Sequence, residues 1–496
     1  MKTTTAHSSQ IKPEHFTQNP EVLKCIADLK AKFGENFEGL IVSDTMDEQG
    51  HQYVNLVQKG GGVLGVALVG YTYILEQAGI RFLRLAGTSA GAINTALLTI
   101  IGKKEDRKSE KILSYISELN FFNLVDGRPI VRWLIKNFIT HKKFNTVLKV
   151  ILGWLIISLI FLIGADFVFL GLRHLPWAFN ALRICIAFTA LHLAMLGYIL
   201  IYANHLFKAV REGGHGLNPG TYFYEWIKKI MEENGVTNVS DLNKKAGMLP
   251  KLKVRNPETQ NADTLRGDVT FITSELVSEN KIEFPKMCDL FREDVDEIHP
   301  AHFVRASMSI PIFFQSHIID NIPRKSQKIK DAWIQHFGTD SNIPKRARFV
   351  DGGMMSDFPI NIFYNPRIVE PRLPSFGIDL DDSAPNESGT DSDDDRFPNS
   401  LGEYLGGLFN TIRYYYDKDF LIKNNVFKKG IGKISLHEFN WLNFFITEEE
   451  KIKMFVKGAQ AACDFLMNFD WQKYQRERIE MQLLFNEKHA PEGVKE

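Results

Sequence analysis

The sequence carries no excess charge of either sign. Lysine plus arginine and aspartate plus glutamate both number 59 among 496 residues, so the formal net charge is zero. A general nucleic-acid-binding role, which needs a basic surface, gets no support, and no nucleic-acid partner is expected. Cysteine is scarce: Cys25, Cys185, Cys288 and Cys463 lie far apart, with no Cys-x-x-Cys pair and no metal-ligand spacing. Neither a disulfide framework nor a zinc site is expected, and packed, reduced thiols fit a reducing compartment. The first residues, Met1-Lys-Thr-Thr-Thr-Ala-His, lack an apolar run, so no cleavable signal peptide is read there. No repeat stands out at the periods of solenoids or propellers. The acidic run Asp379 to Asp395 has neither the spacing nor the closing glutamate of an EF-hand. It reads as a solvated, mobile loop, and no metal or cofactor is assigned.

What the chain does have is glycine in an informative order. Phe82 to Ala86 is an apolar strand candidate, Gly87-Thr88-Ser89-Ala90-Gly91 follows at once, and Ala90 to Ile101 has the composition of a buried helix. A Gly-x-Ser-x-Gly match arises by chance in roughly one chain in six of this length, so the pentapeptide alone decides nothing. In a strand–turn–helix context it becomes chemistry. The glycines allow a strained turn that lifts the Ser89 hydroxyl above the sheet edge, and the helix N-terminus favours negative charge there.

One strand earlier, Tyr53 to Val57 leads into Gln58-Lys-Gly-Gly-Gly-Val-Leu-Gly65, and Val66 to Ala78 reads as a helix. Consecutive glycines at a strand-to-helix junction expose backbone N–H groups that suit an anion or oxyanion. A plain glycine turn is one alternative. A dinucleotide loop is another, since Gly60, Gly62 and Gly65 match its spacing, but the acidic residue it needs does not end a second strand.

Taken together, Gly60-Gly61-Gly62-x-x-Gly65 followed by Gly87-Thr88-Ser89-Ala90-Gly91 resembles the patatin-like phospholipases. The resemblance implies that Gly60, Gly61, Gly62 and Gly65 line an oxyanion hole and that Ser89 is the nucleophile. It also implies a downstream Asp-Gly-Gly after a strand, met by Ala347-Arg-Phe-Val-Asp351-Gly352-Gly353. Arg305-Ala-Ser-Met-Ser-Ile-Pro is similar to the family's Ala-Ser-x-x-x-Pro segment. The chain departs from the family at Leu64, where a basic residue often stands. The implied fold is α/β, a three-layer α/β/α patatin-like fold, here carrying an inserted pair of hydrophobic helices. The implied mechanism is a Ser89–Asp351 dyad that hydrolyses ester bonds of phospholipids or other acyl glycerolipids without a cofactor. A Ser-Asp-His hydrolase or acyltransferase, drawing on His437 or His489, is the rival chemistry. A membrane-anchored lipid-binding protein without activity is the rival of a different class.

The insertion holds two apolar runs, Val150 to Leu172 and Ala181 to Leu206, joined by Arg173 to Asn180. About 20 residues at 1.5 Å rise cross a hydrocarbon core of about 30 Å. A pair of buried core helices, or a hairpin dipping into one leaflet, is the alternative. Lys136, Lys142, Lys143 and Lys149 precede the first run and Lys208 and Arg211 follow the second, so both ends are expected in the cytoplasm. Trp177 suits the far interface, and Asp166 is expected to meet Arg183 or His192 across the hairpin. The basic amphipathic stretch Ile130 to Phe138 suits a membrane surface.

The expected organisation is an N-terminal helical extension (1–45), a first catalytic part (46–135) and a membrane insertion (136–212, spans about 150–172 and 181–206). A second catalytic part (213–380), an acidic loop (381–400) and a C-terminal helical region (401–496) follow. Leu401 to Phe420, rich in aromatics, is expected to pack as core, with an acyl-pocket lining as the alternative. Thr447-Glu-Glu-Glu450 opens a helix with a capping box.

Overall fold

The computed structural model describes residues 11–140, 144–212, 214–257, 262–381 and 401–488. The acidic run from 382 to 400, His489, Lys142 and Lys143 fall outside them. By internal contact the chain forms two units. One comprises 1–125, 220–311 and 316–496; the other comprises 126–219 and 312–315.

The first unit is built on a mixed sheet of ten strands among the described residues. Six of them fix the site: β1 (Gln52–Gln58), β2 (Ile80–Thr88), β3 (Asp268–Glu275), β4 (Ala347–Asp351), β5 (Ser375–Asp381) and β6 (Ile431–Ser435). Their order is β6-β5-β1-β2-β3-β4, continued by the short strand His317–Ile319. The run from β6 to β3 is parallel, while β4 is antiparallel to both of its neighbours. Parallel strands covered on both faces read as continuous apolar runs, which is why β1 is buried at all seven positions. Helices flank the sheet: α1 (Pro20–Phe33), α2 (Gly65–Gln77), α3 (Ala90–Ile100), α6 (Leu401–Lys423) and α7 (Glu448–Asn468), with α4 (Phe144–Gly171) and α5 (Pro176–Glu212) in the second unit.

α2 is apolar on every side and buried from Val66 to Glu76, as befits a helix enclosed in a core. It begins one residue earlier than the sequence pattern suggests, because a short 3-10 turn, Gly62–Leu64, feeds directly into it. α7 starts with the expected capping box, Thr447 and Glu450 satisfying each other's backbone N–H groups. α1 buries Val22, Cys25 and Leu29 and leaves Leu23 exposed. Its inward stripe therefore runs through Cys25 rather than through Leu23.

α6 departs from expectation. Tyr404, Leu408, Tyr415 and Ile422 are exposed, while Asp417 is buried and Arg413 largely so. Aromatic richness suggested core, but the inward face of this helix is polar where it meets the loop after β4.

The second unit contains the helix Pro129–Thr140, α4 (Phe144–Gly171), α5 (Pro176–Glu212) and a parallel pair formed by Gly216–Asn218 and Ile312–Phe314. The connector between α4 and α5 is shorter than the sequence suggests. Pro176 opens α5, since its fixed φ and missing N–H suit the first helical position, so Trp177 to Asn180 belong to its first turns. Within the hairpin Asp166 pairs with Thr189, whose hydroxyl donates at 2.7 Å. Arg183 instead lies 4.5 Å from the Phe179 ring centroid, and the His192 ring bonds the Phe188 carbonyl. The hydroxyl meets one carboxylate oxygen, and Asp166 Oδ1 has no hydrogen-bond partner among the described residues. The stretches Lys149–Gly171 and Pro176–Lys208 are long and apolar enough to cross a membrane.

Candidate active site

Ser89 sits between β2 and α3 with φ 53° and ψ −118°. A non-glycine residue held in that region is strained by about 1–3 kcal/mol, a strain typically stored at functional sites. Neighbouring glycines make the turn tight. A Cβ on Gly87 would fall on the Gly91 carbonyl, and one on Gly91 would fall on the Gln58 carbonyl at the end of β1. The Ser89 N–H donates to the Ser307 hydroxyl at 3.0 Å, and that hydroxyl donates to the Ile272 carbonyl of β3 at 2.6 Å. Ser307 thus ties the turn to the neighbouring strand.

Asp351 ends β4, two strands from β2. Register places Thr88 beside Ile272, and Thr273 beside Asp351. The chain then crosses over β3, and only glycine fits at 352: a Cβ there would fall on the Ile272 carbonyl and lie 3.0 Å from Thr88 Cγ2. That close approach sets the Asp351 carboxylate beside the Ser89 turn, where the serine side chain acts on its ionisation. Gly353 donates its N–H to Asp351 Oδ1 at 2.8 Å.

Asp351 is buried. Burial is the largest influence on it and pushes its pKa from the usual 3.8 up to about 6; Asp357 adds to this, while the neighbouring Ser89 side chain, the Gly353 N–H and the charge of Arg413 oppose it. Asp357 accepts an ion pair from Arg413 at 2.8 Å.

The glycine loop lies against the same turn. A Cβ on Gly60 would stand 3.2 Å from Ser89 Cβ, and one on Gly65 would stand 3.0 Å from Ala90 Cβ. Its four glycines differ in what their N–H groups do. Gly60 donates to the Asp357 carbonyl at 3.0 Å, and Gly65 closes the 3-10 turn on the Gly62 carbonyl. Gly61 and Gly62 have no backbone acceptor among the described residues. The N–H groups of Ala90 and Gly91, at the first turn of α3, point out of the helix end as such groups do.

Sequence reasoning named Ser89, Asp351 and the glycines, and these come together. It passed over Ser307, Asp357 and Arg413. Ser307 lies in a stretch already singled out and Asp357 just beyond another, but Arg413 comes from a distant helix with no local signature. His437 follows β6, three strands from β2, a separation of about 14 Å at sheet spacing. Its ring bonds the Ser435 hydroxyl at 2.9 Å and approaches Glu438. Among the described residues no group of histidine, cysteine, aspartate and glutamate is arranged to hold a metal.

Comparison with known proteins gives three findings. The patatin-like phospholipase family matches residues 56–364, well over half of the chain. The uncharacterized protein YqhO of Bacillus subtilis (strain 168) is 23% identical over 419 residues, 84% of this chain and 100% of that protein. The crystal structure of VipD from Legionella pneumophila aligns over 86% of this chain and 70% of its own, at 13% identity and a TM-score of 0.35. With that family match covering the glycine loop, the Ser89 turn and Asp351 alike, the chain belongs to the patatin-like phospholipases, a family of lipid acyl hydrolases.

Proposed function

We propose that this protein is a membrane-anchored phospholipase of the A type, cleaving carboxylic ester bonds of phospholipids through Ser89 and Asp351. The observation that carries the reading is the strained Ser89 turn set beside a buried carboxylate whose pKa is raised to about 6. An ordinary aspartate is a weak base; one at about 6 is stronger by roughly a hundredfold and still ionised at neutral pH.

In the forward step Ser89 Oγ bonds to the ester carbonyl carbon while its proton passes to Asp351. The Gly61 and Gly62 N–H groups, with the α3 N-terminus, hold the resulting oxyanion. Collapse breaks the ester C–O bond, the leaving lysolipid oxygen takes the proton from Asp351, and the acyl group stays on Ser89. Water then gives a proton to Asp351 and attacks the acyl carbon. Release of the fatty acid returns that proton to Ser89.

α4 and α5 are the proposed anchor, and the lysine and arginine count on their flanks puts both ends in the cytoplasm. An esterase tethered at a bilayer meets phospholipid at high effective concentration. The test is purified protein in mixed phospholipid micelles, with mass spectrometry of the products. Fatty acid and lysophospholipid should appear with the wild type and not with Ser89→Ala, and a fluorophosphonate probe should label only the wild type. Equal product from Ser89→Ala would overturn the assignment.

A further inference from the structure

Asp351 is not the only carboxylate at the site. Asp357, six residues on, is buried, and its Oδ1 stands where a Cβ on Gly60 would meet it at 2.5 Å and one on Gly353 at 2.7 Å. It therefore sits between the glycine loop and the Asp351 turn. Two carboxylates sharing one dry pocket disfavour each other's ionisation. Left alone, Asp357 would make Asp351 a group that stays protonated.

The counterweight comes from α6. Arg413 reaches Asp357 at 2.8 Å, and its guanidinium lies 3.0 Å from where a Gly353 Cβ would be, on the same side as Asp351 Oδ1. One turn further along the helix, Asp417 accepts the Ser356 hydroxyl at 2.7 Å and the Phe358 N–H at 2.8 Å. α6 thus grips both sides of the 351–358 loop, and Thr88 closes the ring by donating its hydroxyl to the Ser356 carbonyl at 3.0 Å.

We propose that Arg413 is a positioning residue for the hydrolytic site. By holding Asp357 from α6 it fixes the loop that carries Asp351 and offsets the second carboxylate beside the base. The inference rests on the Ser89–Asp351 reading given above. Other charged groups around the loop are already engaged: Lys59 bonds Asp379 and the Leu380 carbonyl, Asp417 is held by the loop itself, and Lys281 pairs with Glu283. Arg413 is the cation bonded to Asp357.

The charges give the test opposite signs. The full-length protein in detergent micelles is labelled with a fluorophosphonate across pH 4.5–9, and kcat/KM for a soluble ester is followed in parallel. Arg413→Met leaves Asp357 unopposed, so the acid limb of both profiles should move up by about one pH unit. Asp357→Asn removes the repelling carboxylate and should move the limb down. Arg413→Lys keeps the charge and should hold the limb near its wild-type position, and Arg413→Met/Asp357→Asn should bring it back towards that position. A merely structural role would lower the rates equally at every pH. An unmoved limb in Asp357→Asn, the variant that changes shape least, or in Arg413→Met overturns the proposal. Ser89→Ala separates the two readings: if it is silent while the limbs stay fixed, only the Arg413 role fails, and if it still hydrolyses, both fall.

Discussion

At Asp351 stability and activity pull in opposite directions. Its pKa is raised above the usual value, so between about pH 4 and 6 the folded chain binds more protons than the unfolded one. Stability therefore falls as pH rises through that window, and the cost is fully present above it. A pKa moved from 3.8 to about 6 corresponds to up to about 3 kcal/mol. Asp351→Asn, a neutral mimic of the protonated acid, should raise Tm at pH 8 and match the wild type near pH 4, while abolishing hydrolysis. A Tm gain equal at both pH values would show that burial of charge is not the cause. In the proposed mechanism the same group must be ionised to accept the serine proton, so kcat/KM should fall below about pH 6 with a slope of one proton.

The residues of the site that were legible in the sequence are those fixed by local geometry. Glycine at 62, 87, 91 and 352 is dictated by close backbone approach, and at 60, 61 and 353 by side chains crowding the same space, which leaves a mark in a short window. Ser307 fell inside a motif already quoted and Asp357 lies four residues beyond another, but neither carried a role there. Arg413 could not be read: its partner is 56 residues away, and a charged residue on an aromatic helix looks like an ordinary solvated one.

Among the elements, the packing of α2 on α7 decides how firmly the glycine loop is held, because α2 begins where that loop ends. The two helices touch backbone to backbone. A Cβ on Gly70 of α2 would fall on the Phe455 carbonyl, and one on Gly458 of α7 would fall on the Ala67 carbonyl, 3.0 Å from the Tyr71 N–H nitrogen. Gly to Ala inside a helix ordinarily gains about 1 kcal/mol, whereas overpacking a core costs about 1–3 kcal/mol. The contact atom here is backbone and cannot swing away, so the cost wins. Gly458→Ala should lower Tm by several degrees. Gly407→Ala on α6, where a Cβ meets nothing within 4 Å, should raise it slightly. If both changes raise Tm, propensity rather than packing governs these helices. The existence of α2 and α7 was legible from apolar runs and a capping box. That they meet through glycine was not, since the complementary positions lie nearly 400 residues apart.

At the scale of the whole chain, the lengths of α4 and α5 make the membrane reading specific. The 23 residues of Lys149–Gly171 rise about 34 Å, close to a hydrocarbon core, but the 33 residues of Pro176–Lys208 rise about 50 Å. A moderate tilt does not absorb the excess, so in the proposed spanning arrangement part of α5 stands outside. With Trp177 at one interface, about 20 residues bring the helix to Tyr198 and Tyr202, whose rings stack at 6.4 Å and have the character of an interfacial aromatic belt. The last turns, with Phe207, Lys208 and Arg211, would then project into the cytoplasm. Introduced cysteines in a Cys185→Ser background, whose remaining Cys25, Cys288 and Cys463 are buried, test this with a membrane-impermeant maleimide. In sealed inverted vesicles, Phe207→Cys should react and Ile186→Cys should not until detergent is added. A cysteine at His174 should react only from the opposite face. Labelling of His174→Cys from the cytoplasmic face would sink the spanning hairpin, and protection of Phe207→Cys would mean that α5 lies along the bilayer instead of emerging from it.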